Sequence, residues 1–297
     1  MERTLQSDIS FNKLINLKGK KRLSLMIDDP DSFSFKDWRF NLTEIDAFKD
    51  RYRAVVESIL AYTTRECPET YKLMEFYNEL SPEKMTNTDI FAELSWIVYS
   101  SGFRFDIIVR YWAALREAFH QFDVKKVAFL SKDLEAQAMR ICQRTGFKNP
   151  KKAMWCIQNA QRIIELDYEK KHQGGLRGYL VEISKRNLFE LVELAPCVVQ
   201  ELRFKGIGGT TVFHFMKNMG IDIFKPDIHV RRILTNLGLI DFENVPNLEI
   251  CRAMSFLSFV SGMKISELDT LLFVYGRATR DSISTLCMLF KQLDANV

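Results

Sequence analysis

From about Ile45 the apolar residues of this chain recur every three or four positions, and the pattern hardly stops thereafter. Tyr52, Val55, Val56, Ile59 and Leu60 make one stripe; Leu73, Met74, Tyr77 and Leu80 make another, closed by Ser81-Pro82. Such a period places apolar side chains on one face of a helix, which must then bury that face against another helix. Alternating β-branched runs are absent for most of the length, so the expected class is all-α. Residues 51–297 read as one helical domain and residues 1–50 as an N-terminal arm of unclear role. In the arm, a basic cluster, Lys18-Gly19-Lys20-Lys21-Arg22, precedes an acidic, aromatic run ending at Trp38. A solvated loop explains that cluster, although contact with phosphate or a nuclear address would use the same charges.

Composition narrows the class. With 297 residues, 47% apolar and 27% charged, the chain reads as an ordinary globular protein. No apolar run approaches the roughly 18 residues of a membrane span, and MERTLQSDISF lacks the apolar centre of a signal peptide. The six cysteines are scattered without C-x-x-C spacing, which argues against zinc, an iron–sulfur cluster or a disulfide framework and suits a reducing compartment. A net charge of +4 permits a nucleic-acid partner without indicating one.

One stretch departs from plain helix packing. Val198, Val199 and Leu202 lead into Lys205-Gly206-Ile207-Gly208-Gly209, after which Val212, Phe213, Met216 and Met219 resume the helical period up to Gly220. Pro196 is expected in the first turn of the leading helix, so the helix, hairpin and helix span 196–219. Glycines let the turn take positive φ and let another backbone come close. The second helix, starting at Thr210-Thr211, aims its unpaired N–H groups and positive dipole end at whatever approaches, which suits a phosphate. A glycine stop and restart between packed helices accounts for the same residues. Seventeen positions after Thr210 comes Asp227, in the run K-P-D-I-H-V-R-R-I, and a further helix follows in the segment 225–237.

The two segments together resemble the helix-hairpin-helix DNA glycosylase superfamily. There an L-P-G-(V/I)-G hairpin grips the DNA backbone and an Asp in a V-D-x-H-(V/I) context is the catalytic carboxylate. Gly206, Ile207 and Gly208 match the hairpin; Asp227, His229 and Val230 match the catalytic segment; Phe204 and Lys205 stand where Leu-Pro is usual. Within the superfamily the chain is most similar to 3-methyladenine DNA glycosylase I, over roughly residues 88 to 280. Phe119-His120-Gln121-Phe122-Asp123 echoes that family's F-H-Q-F-D, and Gly146, Lys152, Asn159 and Ala160 echo its G…K…N-A stretch. Thr210, Thr211, Phe215 and Met216 echo its hairpin helix, with one gap, and Leu268 to Arg277 resembles the superfamily's closing L-D-x-L-L-W-x-x-G-R helix. Two features depart: no Cys and His set matches the family's zinc site, and its active-site Glu aligns near Ile97.

The resemblance implies two helical subdomains flanking a DNA-binding cleft, and a monofunctional glycosylase of base excision repair. The substrate is duplex DNA with a damaged base, an alkylated purine of the 3-methyladenine kind. Asp227 would stabilise the charge that builds on the sugar and orient water. Lys205, Gly206, Ile207, Gly208, Gly209, Thr210, Thr211, His229 and Arg231 would hold the DNA backbone. Phe103, in the turn Gly102-Phe103-Arg104, would be the wedge, with Trp96, Tyr99 and Trp112 walling the base pocket. Aromatic faces suit a base made cationic by methylation. No lysine stands at the start of the hairpin helix, so a lyase step is not expected. The expected cofactors are none, an alkali ion on hairpin carbonyls aside. The chain is expected to act as a monomer, at the nucleoid if bacterial or in the nucleus if eukaryotic. A catalytically inactive DNA-binding relative, or a glycosylase for a non-alkylated lesion, is the alternative.

Overall fold

The computed structural model describes residues 24–29, 32–36, 42–169 and 172–279. Its first two segments are strands β1 (Ser24–Asp29) and β2 (Ser32–Lys36), an antiparallel hairpin with Ser24 opposite Lys36 and a register shift between Met26 and Asp29. This hairpin belongs to the expected arm; the basic cluster Lys18–Arg22 lies outside the described residues. From Leu42 onward the described chain is helices and the turns between them, in keeping with an all-α class.

Local signals set the helix boundaries. Helix α1 (Leu42–Glu66) and α2 (Thr70–Glu79) come first. Helix α3 (Asn87–Ser100) starts at a capping box in which Thr86 and Asp89 satisfy each other's backbone N–H. It is followed by α4 (Phe105–Ala118), α5 (Val124–Phe129) and α6 (Leu134–Thr145), the last stopped by Gly146 at φ 74°. Helix α7 (Pro150–Tyr168) combines an Asn149 cap with proline in its first turn. Helices α8 (Gly175–Ser184), α9 (Leu188–Leu202) and α10 (Thr210–Asn218) follow, then α11 (Ile228–Asn236), α12 (Asn247–Ser261) and α13 (Ile265–Ala278).

One expected boundary is corrected. Pro196 does not open a helix; it is the ninth residue of α9, which begins at Leu188 behind a capping box of Asn187 and Glu190. The reciprocal cap and the buried run Leu191, Val192, Ala195, Val198 and Leu202 hold the helix together across the proline. Only the N–H that would have bonded the Val192 carbonyl is lost.

The helices fall into two groups. Helix α7 is the centre of one, packed against α3, α5, α6 and α8. In the other, α1 and α2 return to pack on α13, which also carries α11, while α12 closes against α1. Helix α9 leans on α12 and α10 on α3, so the stretch containing the glycine hairpin runs between the groups. One large apolar core from Tyr52 to Leu272 passes through both, beside a small cluster of Cys67, Val274 and Ala278.

Candidate active site

One face of α7 holds both turns singled out in the sequence. Its residues Lys152, Trp155, Asn159 and Arg162 recur at helical spacing, and each supports a different piece of backbone. Asn159, 1% exposed, accepts the Lys205 N–H at 2.6 Å and donates to the Lys205 carbonyl at 3.0 Å. Arg162 donates to the carbonyls of Leu202 and Glu201 at 3.0 and 3.1 Å, closing the C-terminal end of α9. Trp155 lies beneath Gly206, where a Cβ would stand 2.9 Å from its ring and where φ is 80°. Gly206 therefore has both a steric and a conformational reason to be glycine.

The rest of the hairpin closes on itself. Thr211 Oγ1 accepts the Gly208 N–H at 2.8 Å, and its hydroxyl and N–H both donate to the Gly208 carbonyl. The Gly208 N–H is therefore not free for phosphate, contrary to a simple grip by every hairpin amide. The amides of Gly206, Gly209 and Thr210 meet no acceptor among the described residues. Lys205, Gly209 and Thr210 are exposed, Ile207 is half-buried, and a Cβ on Gly208 would touch nothing within 4 Å. The carbonyls of Phe204, Lys205 and Gly208 already accept protein donors, which narrows the carbonyls that an alkali ion could share.

The turn between α3 and α4 is held from the same helix. The Lys152 ammonium, buried and lowered from its usual range by that burial, donates to the Val98 carbonyl and, at 2.7 Å, to the Ser101 carbonyl. A cation on orphan carbonyls at a helix C-terminus is favourable for the helix dipole too. Phe103 projects from this turn, 40% exposed, its ring edge-on to Phe147 at 5.2 Å and 5.2 Å from the Lys152 ammonium. Trp96 and Trp112 are half-buried and meet edge-on at 4.9 Å, with Phe105 against Trp96 at 5.3 Å. Tyr99 is different: only 1% exposed, it is packed between Phe119 and Phe147, and burial drives its hydroxyl pKa well up. It belongs to the core and does not wall an open pocket. Ile97 is likewise buried. One helical turn earlier stands Glu93, half-buried, its Oε2 accepting from the Asn218 amide at 2.8 Å. Burial raises its carboxyl to about 7.

Asp227 is the N-cap of α11. Its Oδ1 accepts the N–H groups of His229 and Val230 at 2.9 and 3.1 Å, and its Oδ2 faces the Lys225 ammonium at 3.8 Å. One oxygen is committed to the helix and the other is not, on a side chain 14% exposed. His229 packs edge-on to Phe273 at 5.6 Å, with its Cβ side close to Gly276. Arg231 does not reach outward to DNA. Its guanidinium donates to the carbonyls of Pro226, Glu243 and Val245 and to the Asn247 side chain, all at 2.6 to 2.9 Å. Four acceptors already hold it, so its role is to tie the 243–247 loop to the start of α11.

Beneath Asp227 lies a buried polar cluster that sequence reasoning missed. The Lys217 ammonium, on α10, pairs with Asp269 Oδ2 at 2.5 Å and Thr270 Oγ1 at 2.8 Å, and sits 4.3 Å over the Tyr77 ring. Burial lowers the lysine and raises the aspartate, each opposed by the other's charge. His214, one turn before Lys217, is held well below its ordinary pKa by burial and then by Lys225 and Lys217, so it is a neutral imidazole at pH 7. Nothing in the spacing of these residues pairs them; Lys217 and Asp269 are 52 positions apart. Among the described residues no group of His, Cys, Asp or Glu is arranged to hold a metal, and no helix is long and apolar enough to cross a membrane.

Comparison with known proteins gives one match: the family model for methyladenine glycosylase fits residues 69–223. Curated proteins and solved structures yield no match. The matched span contains α7, the Phe103 turn and the glycine hairpin, and stops short of Asp227.

Proposed function

The chain belongs to the methyladenine glycosylase family, a branch of the helix-hairpin-helix DNA glycosylases of base excision repair; from that premise we propose that Asp227 makes it a monofunctional hydrolase of damaged bases in duplex DNA. The observation that carries this reading is the divided carboxylate: Oδ1 bound in the α11 cap and Oδ2 turned to Lys225. As a base leaves, positive charge builds on the sugar. A carboxylate oxygen held in place and partly shielded from water stabilises that charge and orients the attacking water. The exposed hairpin amides at Gly209 and Thr210, with the Lys205 ammonium, hold phosphate; Phe103 fills the space a flipped nucleotide leaves. Trp96, Phe105 and Trp112 offer ring faces and edges to an alkylated, cationic purine.

Monofunctional chemistry follows from where the amines are. Thr210 begins the hairpin helix, Lys205 lies before the first glycine, and Lys217 is buried in an ion pair. Lys225, near Asp227, is the amine to watch. Borohydride added during turnover should trap no protein–DNA adduct; an adduct that disappears in Lys225→Ala would make the enzyme bifunctional.

The direct test is base release from duplex DNA methylated with dimethyl sulfate, wild type against Asp227→Asn. Wild type should release methylated purine and the variant at least a hundredfold less. Binding without base release, repeated across oligonucleotides bearing single alkylated, oxidised or deaminated bases, would establish the catalytically inactive alternative. Release of a non-alkylated base alone would keep the enzyme and change its substrate.

A further inference from the structure

Helix α13 carries three residues on one face that touch the Asp227 segment along its length. Asp269 Oδ1 accepts the Lys225 N–H at 2.9 Å. Phe273, four residues on, meets the His229 ring edge-on and lies 6.0 Å from the Lys225 ammonium. Gly276, three further, lies against His229, and its carbonyl accepts from Arg232 at 2.6 Å. A Cβ on Gly276 would stand 2.9 Å from the His229 Cβ, so the helices approach as closely as glycine permits.

The geometry points to Asp269 as the positioning residue of Asp227. Its link to the carboxylate is short and stiff. The Lys225 N–H is fixed by Asp269, the Lys225 carbonyl accepts the Asp227 N–H at 2.7 Å across Pro226, and the Asp227 side chain is then pinned by His229 and Val230. Proline removes the φ freedom of the one residue between. Asp269 can do this because its other oxygen is locked by Lys217, itself held by Thr270, with all three side chains buried. An ion pair alone would need neither the Lys225 amide nor the alignment of Phe273 and Gly276. A carboxylate with one oxygen on a buried cation and the other on the segment leading to Asp227 transfers the rigidity of the core to the reacting group.

This inference rests on Asp227 being the catalytic carboxylate, and the test separates the two. Two double variants remove the buried charge pair equally: Lys217→Met with Asp269→Asn, which keeps an oxygen for the Lys225 N–H, and Lys217→Met with Asp269→Leu, which does not. On dimethyl-sulfate-methylated duplex, the Asn pair should keep the single-turnover rate within about threefold of wild type, by the small loss expected when a hydrogen-bond acceptor is preserved. The Leu pair should lose at least thirtyfold in rate, an order-of-magnitude figure for misplaced catalytic groups, with duplex affinity unchanged. Exchange of the His229 and Val230 amide protons gives a readout that needs no substrate. Both should exchange at least tenfold faster in the Leu pair than in the Asn pair, an order-of-magnitude expectation for local opening. Equal rates and equal protection in the two pairs would overturn the positioning role. If instead Asp227→Asn releases base as wild type does, the catalytic reading fails, and the exchange comparison still decides whether Asp269 fixes the segment.

Discussion

Asp227 caps a helix and is proposed to stabilise a sugar cation, and single substitutions separate the two duties. Asparagine caps as well as aspartate, so Asp227→Asn should leave urea stability within about 0.5 kcal/mol of wild type while base release is lost. Asp227→Ala loses the cap as well and should cost about 1 kcal/mol. Equal stability of the two variants would mean that the bonds to His229 and Val230 contribute nothing to the fold. The hairpin glycines divide in the same manner. Gly206→Ala drives a Cβ into Trp155 at a φ of 80° and should destabilise by about 1–3 kcal/mol. Gly208→Val enters open space at ordinary φ, so the fold should hold. The added bulk then sits where phosphate would approach, and affinity should fall alike for all duplexes. A change of lesion preference at constant affinity would show that this turn reads the base and not the backbone.

Among the elements, α7 accounts for two residues that the sequence showed only as an echo of a family pattern. Asn159→Ala would leave both the N–H and the carbonyl of Lys205 without their partner, and should cost about 2 kcal/mol with a loss of duplex affinity. Lys152→Met would strip the cation from the end of α3, and amide exchange in residues 101–104 should quicken. Helical periodicity is enough to find α1, α2, α10 and α11, because burial on one face writes itself into residue spacing. It misplaces Pro196, since a capping box that begins nine residues upstream, at Asn187, outweighs one missing N–H. The resemblance implies a phosphate ligand at Arg231 and a pocket wall at Tyr99, and the structure gives both other partners. Nothing local tells a cation aimed at solvent from one aimed at three carbonyls, or an aromatic at a rim from one in the core. The Lys217–Asp269 pair was illegible for the same reason: long-range pairing leaves no period in the chain.

For the whole molecule, the half-buried Glu93 makes stability depend on pH. Its folded value of about 7 lies above the 4.5 of a free carboxyl, so between these values the folded state holds a proton that the unfolded chain releases. The contribution of Glu93 should therefore be fully present below about pH 4.5 and decline towards pH 7, by at most about 3 kcal/mol. Glu93→Gln should remove that decline in urea midpoints measured across the window; an unchanged slope would assign it to another group. Duplex binding, resting on phosphate contacts, should weaken steeply with salt. The shared face of α7 also acts as a ruler. The residues holding the Phe103 turn and the glycine hairpin, Lys152 and Asn159, are seven apart on one helix, a rise of about 10 Å. Successive phosphates of a strand advance about 3.4 Å, so that rise equals about three nucleotides. Under the proposed function, the distance between the base inspected and the phosphate gripped would then be a property of peptide geometry. Phosphate ethylation should block binding most strongly at one fixed offset from the lesion, whatever the intervening sequence.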